Sequence, residues 1–285
     1  MAEPDDMNLT FLLPLFAQVG PAGAMEHAPL EIPRAKKAAA PVIEGRLARC
    51  IELAHSAPLD AIRETDKWLA EAKGSARADP GECKGLALTR LERWAQAAAT
   101  FAAAHDDTPV FEQALRARRG AMAGNAALAA GQAEAALAAL DSAHGEARRA
   151  KETALAGGIA LDRARTLVAL GRIEEAASAL AEARGALAGD AQTWLLSATL
   201  SRRLGKLPEA QGQIEQAAAL DPRDPAIGLE AGVIAMLAGR EEAARKSWEA
   251  VVAMAPDSAE ATTARGYLDQ LGLDPSDKPA QSSRR

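Results

Sequence analysis

The side chains able to do catalytic or metal chemistry are few and scattered along this chain. Histidine occurs at four positions, His27, His55, His105 and His144. None stands three or four residues from another, so neither an H-x3-H pair nor an HExxH helix is available to hold zinc. No GxxxxGK[ST] loop is present to cradle phosphate, and GxGxxG and GxSxG are missing too. The paired carboxylates Glu174-Glu175 and Glu241-Glu242 each follow shortly after a glycine. They read as first-turn acids, which the helix dipole favours, rather than as a general acid and base. Nothing in the sequence points to a catalytic residue, a metal ligand or a cofactor. The remaining reactive side chains are two cysteines, Cys50 and Cys83.

The elements that must position any site are helices. Ala supplies 72 of the 285 residues and aromatics only 3%, a composition that favours helix and leaves too few β-branched and aromatic residues for a sheet core. The length allows one large domain or two ordinary ones, either able to bury a core. The net charge of −6 provides no global basic field, which argues against a nucleic-acid partner. No run of 18 apolar residues occurs, so no stable membrane span is expected.

Residues 1–40 differ from the rest. No Lys or Arg precedes Arg34, and Leu9 to Val19 forms an apolar run followed by Pro21 and Ala22-Gly23-Ala24. Read from Met7, this resembles a secretory signal peptide over residues 1–24, although it lacks a basic n-region. The other reading is a tail whose apolar residues dock on the body. Residues 25–41, with Pro29 and Pro33, read as a linker, and residues 272–285 as a disordered tail.

Between these ends the sequence repeats. Residues 191–224 and 225–258 align at an offset of 34, matching Gly205 with Gly239, Ala210 with Ala244 and Pro222 with Pro256, with Ile214 and Trp248 in one large apolar position. Residues 157–190 are in phase through Gly171, Ala176 and Leu180. Looser copies run over 117–150 (Gly124, Gly131, Ala136, Leu140), 78–111 (Gly85, Trp94, Ala97, Phe101) and 42–75 (Pro58, Ala61, Trp68). Spacings of 40 and 39 mark insertions: the first lengthens helices, and the second falls around Asp107-Thr108-Pro109. There Thr108 is expected to N-cap a long helix with Pro109 as its first residue. A capping helix is expected over 259–271, with Asp257 or Ser258 as N-cap.

These residues resemble the tetratricopeptide repeat, a helix–turn–helix unit of 34 residues with the pattern W-x2-L-G-x2-Y, A-x3-F and P. Trp194 falls on its first aromatic position, Gly232 on its small packing position, and Ala97 with Phe101 on A-x3-F. The resemblance covers about residues 42–258 and implies an all-α right-handed solenoid of six hairpins. First helices then line a concave groove that takes a peptide or partner helix. On the inward repeat positions stand Arg46, Glu82, Arg90, Arg118, Asn125, Arg165, Thr199, Arg202 and Arg203. This arginine-rich series suggests an acidic or C-terminal peptide partner, against the simpler reading of a solvated polar face. On that basis, replacing Arg165 and Arg202 by Glu should abolish binding.

The resemblance also places Cys50 and Cys83 on neighbouring first helices. They stand either as a bridge, favoured by an oxidising compartment, or as two buried free thiols, the norm in a cytosol. The expected function is a non-enzymatic interaction scaffold, periplasmic or secreted, with a cytoplasmic location as the alternative. Two rivals are a self-associating structural solenoid and an enzyme or small-molecule binder using the groove.

Overall fold

A computed structural model describes residues 45–272. The expected signal peptide (1–24), linker (25–41) and most of the tail (273–285) lie outside the described residues. Gly272, read from sequence as the start of the tail, instead closes the last helix.

Among the described residues are thirteen α-helices and no strand. They form six hairpins: α1 (Arg46–Ser56) with α2 (Pro58–Glu71), α3 (Ala78–Arg90) with α4 (Trp94–Asp107), and α5 (Gln113–Ala129) with α6 (Ala133–Arg149). Then come α7 (Thr153–Ala169) with α8 (Ile173–Ala186), α9 (Ala191–Arg203) with α10 (Leu207–Leu220), and α11 (Pro225–Leu237) with α12 (Glu241–Met254). A final helix, α13 (Ala259–Gly272), packs on the last hairpin. Each helix packs on the next in sequence, and first helices also meet one another, as α1 meets α3, α5 meets α7 and α9 meets α11. The result is an α-solenoid.

Local chemistry sets the boundaries. Asp190 Oδ2 accepts from the Thr193 amide at 2.8 Å and Asp224 Oδ1 from the Ala226 amide at 2.8 Å, opening α9 and α11. Ser258 Oγ accepts from the Ala261 amide at 3.0 Å and so starts α13. Pro58 and Pro225 stand in first turns, where the missing N–H costs nothing.

The turns closing α5, α7, α9 and α11 each carry a glycine with φ of 75°, 71°, 70° and 72°, at Gly131, Gly171, Gly205 and Gly239. At Gly131 the Gln132 amide reaches back to Ala127 O (2.9 Å) and the Gly131 amide to Leu128 O (2.9 Å), the hydrogen-bond pair of a Schellman cap. Between α3 and α4 the same turn is made by Glu92 with φ 56°, and its backbone repeats the bonds through Arg93 to Leu88 O (2.9 Å). An L side chain is disfavoured in that region. Glu92→Gly is therefore expected to stabilise the protein by about 0.5–1 kcal/mol, seen as a rise of roughly 2 °C in a thermal scan. An unchanged or lower midpoint would show that the Glu92 backbone carries no such strain.

The core repeats one packing device. A large apolar residue on the second helix lies over a small residue on the first: Phe101 over Gly85, Leu140 over Gly124, Trp248 over Gly232. A Cβ on Gly124 would stand 2.6 Å from Leu140 Cγ, so the close approach demands glycine. The Trp248 ring also meets Tyr267 of α13 at a centroid distance of 4.9 Å and donates from Nε1 to Leu229 O at 3.2 Å, closing the stack.

Two insertions behave differently. The first is absorbed by length: α5, α6 and α7 have 17 residues each, about one turn more than the 13 or 14 of the later helices. The second corrects an expectation. Thr108 does not start a helix; it ends α4, with its hydroxyl donating to Ala104 O at 2.7 Å, and α5 begins only at Gln113. The physical reason is that this threonine's hydroxyl returns to its own helix and accepts from Arg119, which leaves residues 108–112 as a turn.

Candidate functional site

The first helices α1, α3, α5, α7, α9 and α11 carry the residues that the repeat pattern leads one to expect on an inner face. Polar side chains cross-link these helices. Arg119 of α5, 3% exposed, reaches back to α3, donating from Nε to Glu82 Oε2 at 2.8 Å and from Nη2 to Asp79 Oδ1 at 2.6 Å. Asn125 of α5 donates to Asp162 Oδ2 of α7 at 2.9 Å, while Asp162 Oδ1 accepts from Arg165 at 2.8 Å. Arg202 of α9 grips Glu230 of α11 with two donors, at 2.6 and 3.3 Å, and both side chains are nearly buried. A two-donor fork of this kind fixes orientation as well as contributing energy.

These pairings divide the arginine series. Arg165 and Arg202 are committed to carboxylates inside the fold, and Glu82 is held by Arg119. Arg46 lies 4.2 Å above the Trp68 ring and 4.0 Å from Glu71, at the N-terminal hairpin. Asn125 serves as a link between helices, and Thr199 is half-buried beside Arg202 and Arg203 in sequence. Arg90, Arg118 and Arg203 remain: all three are exposed, and none has an ion partner among the described residues. They sit on α3, α5 and α9. Arg165→Glu and Arg202→Glu would therefore leave Asp162 and Glu230 facing a like charge and would read out folding, not ligand contact.

Arg119, Asp162 and Glu230 escaped the sequence reading. The available signal was separation: Glu82 to Arg119 and Asn125 to Asp162 are each 37 residues apart, about one repeat, so paired polar types recur on successive first helices.

Cys50 of α1 and Cys83 of α3 are bonded, with Cα atoms 6.0 Å apart, and both are buried. Around them pack Ala54, Ala61, Ala87 and Trp68.

His105 and His144 are packed against carboxylates of neighbouring helices. His105 Nε2 lies 3.0 Å from Glu146 Oε1, and Arg116 Nε shares that oxygen at 3.0 Å. His144 Nε2 lies 2.9 Å from Glu182 Oε1; burial pushes its pKa down, and the Glu182 charge opposes that shift. Among the described residues no three His, Cys, Asp or Glu side chains converge as metal ligands, and no helix is long and apolar enough to cross a membrane.

No protein-family model matches the sequence, and no curated protein matches it. Solved structures do. A crystal structure of YrrB, described as a TPR protein with an unusual peptide-binding site, is 20% identical, with a TM-score of 0.52, covering 71% of this chain and 97% of that one. BtubC (BKLC) from P. vanneervenii is 14% identical, with a TM-score of 0.58, covering 85% of this chain and 98% of that one. TPR-like repeats of a putative kinesin light chain from Podosopora anserina are 17% identical, with a TM-score of 0.54, covering 68% of this chain and 99% of that one. At these identities the likeness is one of fold, and the fold of this chain is the tetratricopeptide-repeat solenoid.

Proposed function

We propose that the chain is a non-enzymatic protein-interaction scaffold whose inner face takes an acidic peptide segment or partner helix. The observation that carries this reading is the set Arg90, Arg118 and Arg203: three exposed guanidinium groups on three first helices, without ion partners among the described residues, beside two arginines that the fold does neutralise. Free guanidinium forks suit carboxylates and backbone carbonyls. The peptide-binding description of YrrB belongs to that protein; its shared fold supports a binding face here.

The test is fluorescence polarisation with a labelled Leu/Glu peptide of about 14 residues and its Leu/Lys counterpart. The wild type is expected to prefer the acidic peptide, with affinity falling as salt rises. Replacing Arg90, Arg118 and Arg203 together by Gln should weaken it by about tenfold or more, while Arg223→Gln, in the loop before α11, should not. Equal affinity for the triple variant and the wild type would remove the reading.

We further propose that the protein works in an oxidising compartment, periplasmic or secreted. The Cys50–Cys83 bond supports this, because disulfides persist there and are reduced in most cytosols. Intact mass of the protein from its own host, without reductant and after alkylation, tests it: two alkylated thiols on a full-length chain would place it in the cytoplasm.

A further inference from the structure

Two histidines tie successive second helices together. His105 of α4 and His144 of α6 stand 39 residues apart, the spacing of their two repeat units. Each reaches a carboxylate on the next second helix: His105 Nε2 lies 3.0 Å from Glu146 of α6, and His144 Nε2 lies 2.9 Å from Glu182 of α8. Histidine is the side chain whose charge ordinarily changes near neutral pH, so these contacts expose the stacking of the hairpins to protons.

The two seams are built differently. At the α4–α6 seam, Arg116 Nε donates to Glu146 Oε1 at 3.0 Å, and Arg116 Nη2 lies 3.3 Å from His105 Nε2. Asp106 meets the other ring nitrogen at 2.9 Å. A permanent cation therefore holds the buried Glu146 whether or not the imidazole is charged. At the α6–α8 seam the guanidinium stands off. Arg163 of α7 donates from Nε to Asp141 at 2.6 Å, and its Nη1 stays 4.0 Å from Glu182. His144 Nε2 is fully buried, and Glu182 meets it at short range but outside hydrogen-bond geometry. Glu182 is itself 41% exposed, so water screens part of its charge. The carboxylate thus offsets the burial of the ring only in part.

The charges around His144 balance without it. Glu182 faces it from α8, Arg163 from α7 and Arg148 from its own helix, and Asp141, also on α6, pairs with Arg163. On α5, Arg116 is turned to Glu146 and Arg119 to the acids of α3, while Arg118 is exposed. Two cations and two anions thus surround a neutral imidazole, and a proton on the ring adds an uncompensated charge in a buried place. Burial first, and then the two arginines, hold the His144 pKa below its usual 6.5, against the pull of Glu182. Above 6.5 the ring is neutral whether the seam is closed or open. Below it the open seam takes up a proton that the closed seam resists, so the closed seam loses stability as pH falls.

We propose that the seam between the third and fourth hairpins is an acid-sensitive joint, in which protonation of His144 loosens α8 from α6 while the α4–α6 seam stays closed. The joint lies between Arg118 of α5 and Arg203 of α9 in the stack, so for the inner-face reading its opening changes the span of the groove. The joint itself does not depend on that reading.

Hydrogen exchange of the full chain at about pH 7.5 and about pH 5.5, corrected for the intrinsic pH dependence of exchange, tests the joint; carboxylates stay ionised across that window. Amides of α8 in the wild type are expected to lose protection severalfold at the lower pH. In His144→Gln, whose side chain does not titrate, that loss should vanish. His105→Gln and His55→Gln should keep it. A ring titration of the wild type by NMR needs no variant, and should show His144 taking its proton at a lower pH than a histidine in an unfolded peptide. Protection of α8 that is the same at both pH values, or that falls equally in His144→Gln, would overturn the joint. So would a His144 ring that titrates at or above the peptide value. A loss abolished by His105→Gln would assign the acid response to the α4–α6 seam and overturn the proposal as well.

Discussion

Arg119→Met is expected to destabilise the N-terminal half of the solenoid by about 3 kcal/mol, measured by urea unfolding. The guanidinium is 3% exposed and, among the described residues, makes the ion pairs that join α5 to the acids of α3. Its removal leaves Glu82, 14% exposed, as an uncompensated carboxylate, while Asp79 at 52% exposure rehydrates and contributes little. It also strips the Thr108 hydroxyl of its donor. The companion variant Arg119→Met/Glu82→Leu should recover most of the loss, because an apolar pair of similar volume replaces the ionic one without a stranded charge. A single-variant loss below about 1 kcal/mol would show that water already screens the pair. By hydrogen exchange, the Glu112 amide, bonded to Pro109 O at 2.9 Å, should lose protection, because Thr108 loses one of the two arginines, Arg116 and Arg119, that fasten it.

Removing the Cys50–Cys83 bond should cost the first hairpin about 3–4 kcal/mol, from the loop-closure entropy of 33 residues. The expected readout is local, since each hairpin of a solenoid contacts mainly its neighbours and terminal units open first. Amides of α1 and α2 should exchange on the order of a hundredfold faster in Cys50→Ala/Cys83→Ala or under reductant, while those of α9 to α13 stay unchanged. Equal exchange in the bonded and reduced protein would show that packing alone holds α1 on α3. The Ala-rich cluster around the bond, with Ala54, Ala61 and Ala87 at its centre, buries little area per residue, so the covalent tie carries more of the stability here than a larger core would leave to it.

How far each feature was legible depends on the range of the interaction that fixes it. Gly131, Gly171, Gly205 and Gly239 stand out in the sequence as in-phase matches because the left-handed turn they make is a local demand of the backbone. Glu92 and Lys151 adopt the same conformation with no glycine to announce it. The plugs Phe101, Leu140 and Trp248 are legible because a large residue must meet a small one at a fixed offset within one repeat. Thr108 is misread because Ser/Thr before Pro is a good helix start by local rules, and only Arg119, eleven residues on, turns its hydroxyl back to Ala104.

By itself, then, the sequence determined the helices, their phase of 34 residues and the stacking that phase compels, because helix propensity, turn conformation and the fit of large on small act within one or two units. It also placed arginine at the repeat positions expected to face inward. The tertiary structure decided which of those arginines stay free, by bringing Asp162 against Arg165 and Glu230 against Arg202, and it decided that Cys50 meets Cys83 and that Val110 and Phe111 stand out on a held turn. Each of these turns on the distance between two side chains on different elements. A charge or a thiol finds its partner only once the hairpins are stacked.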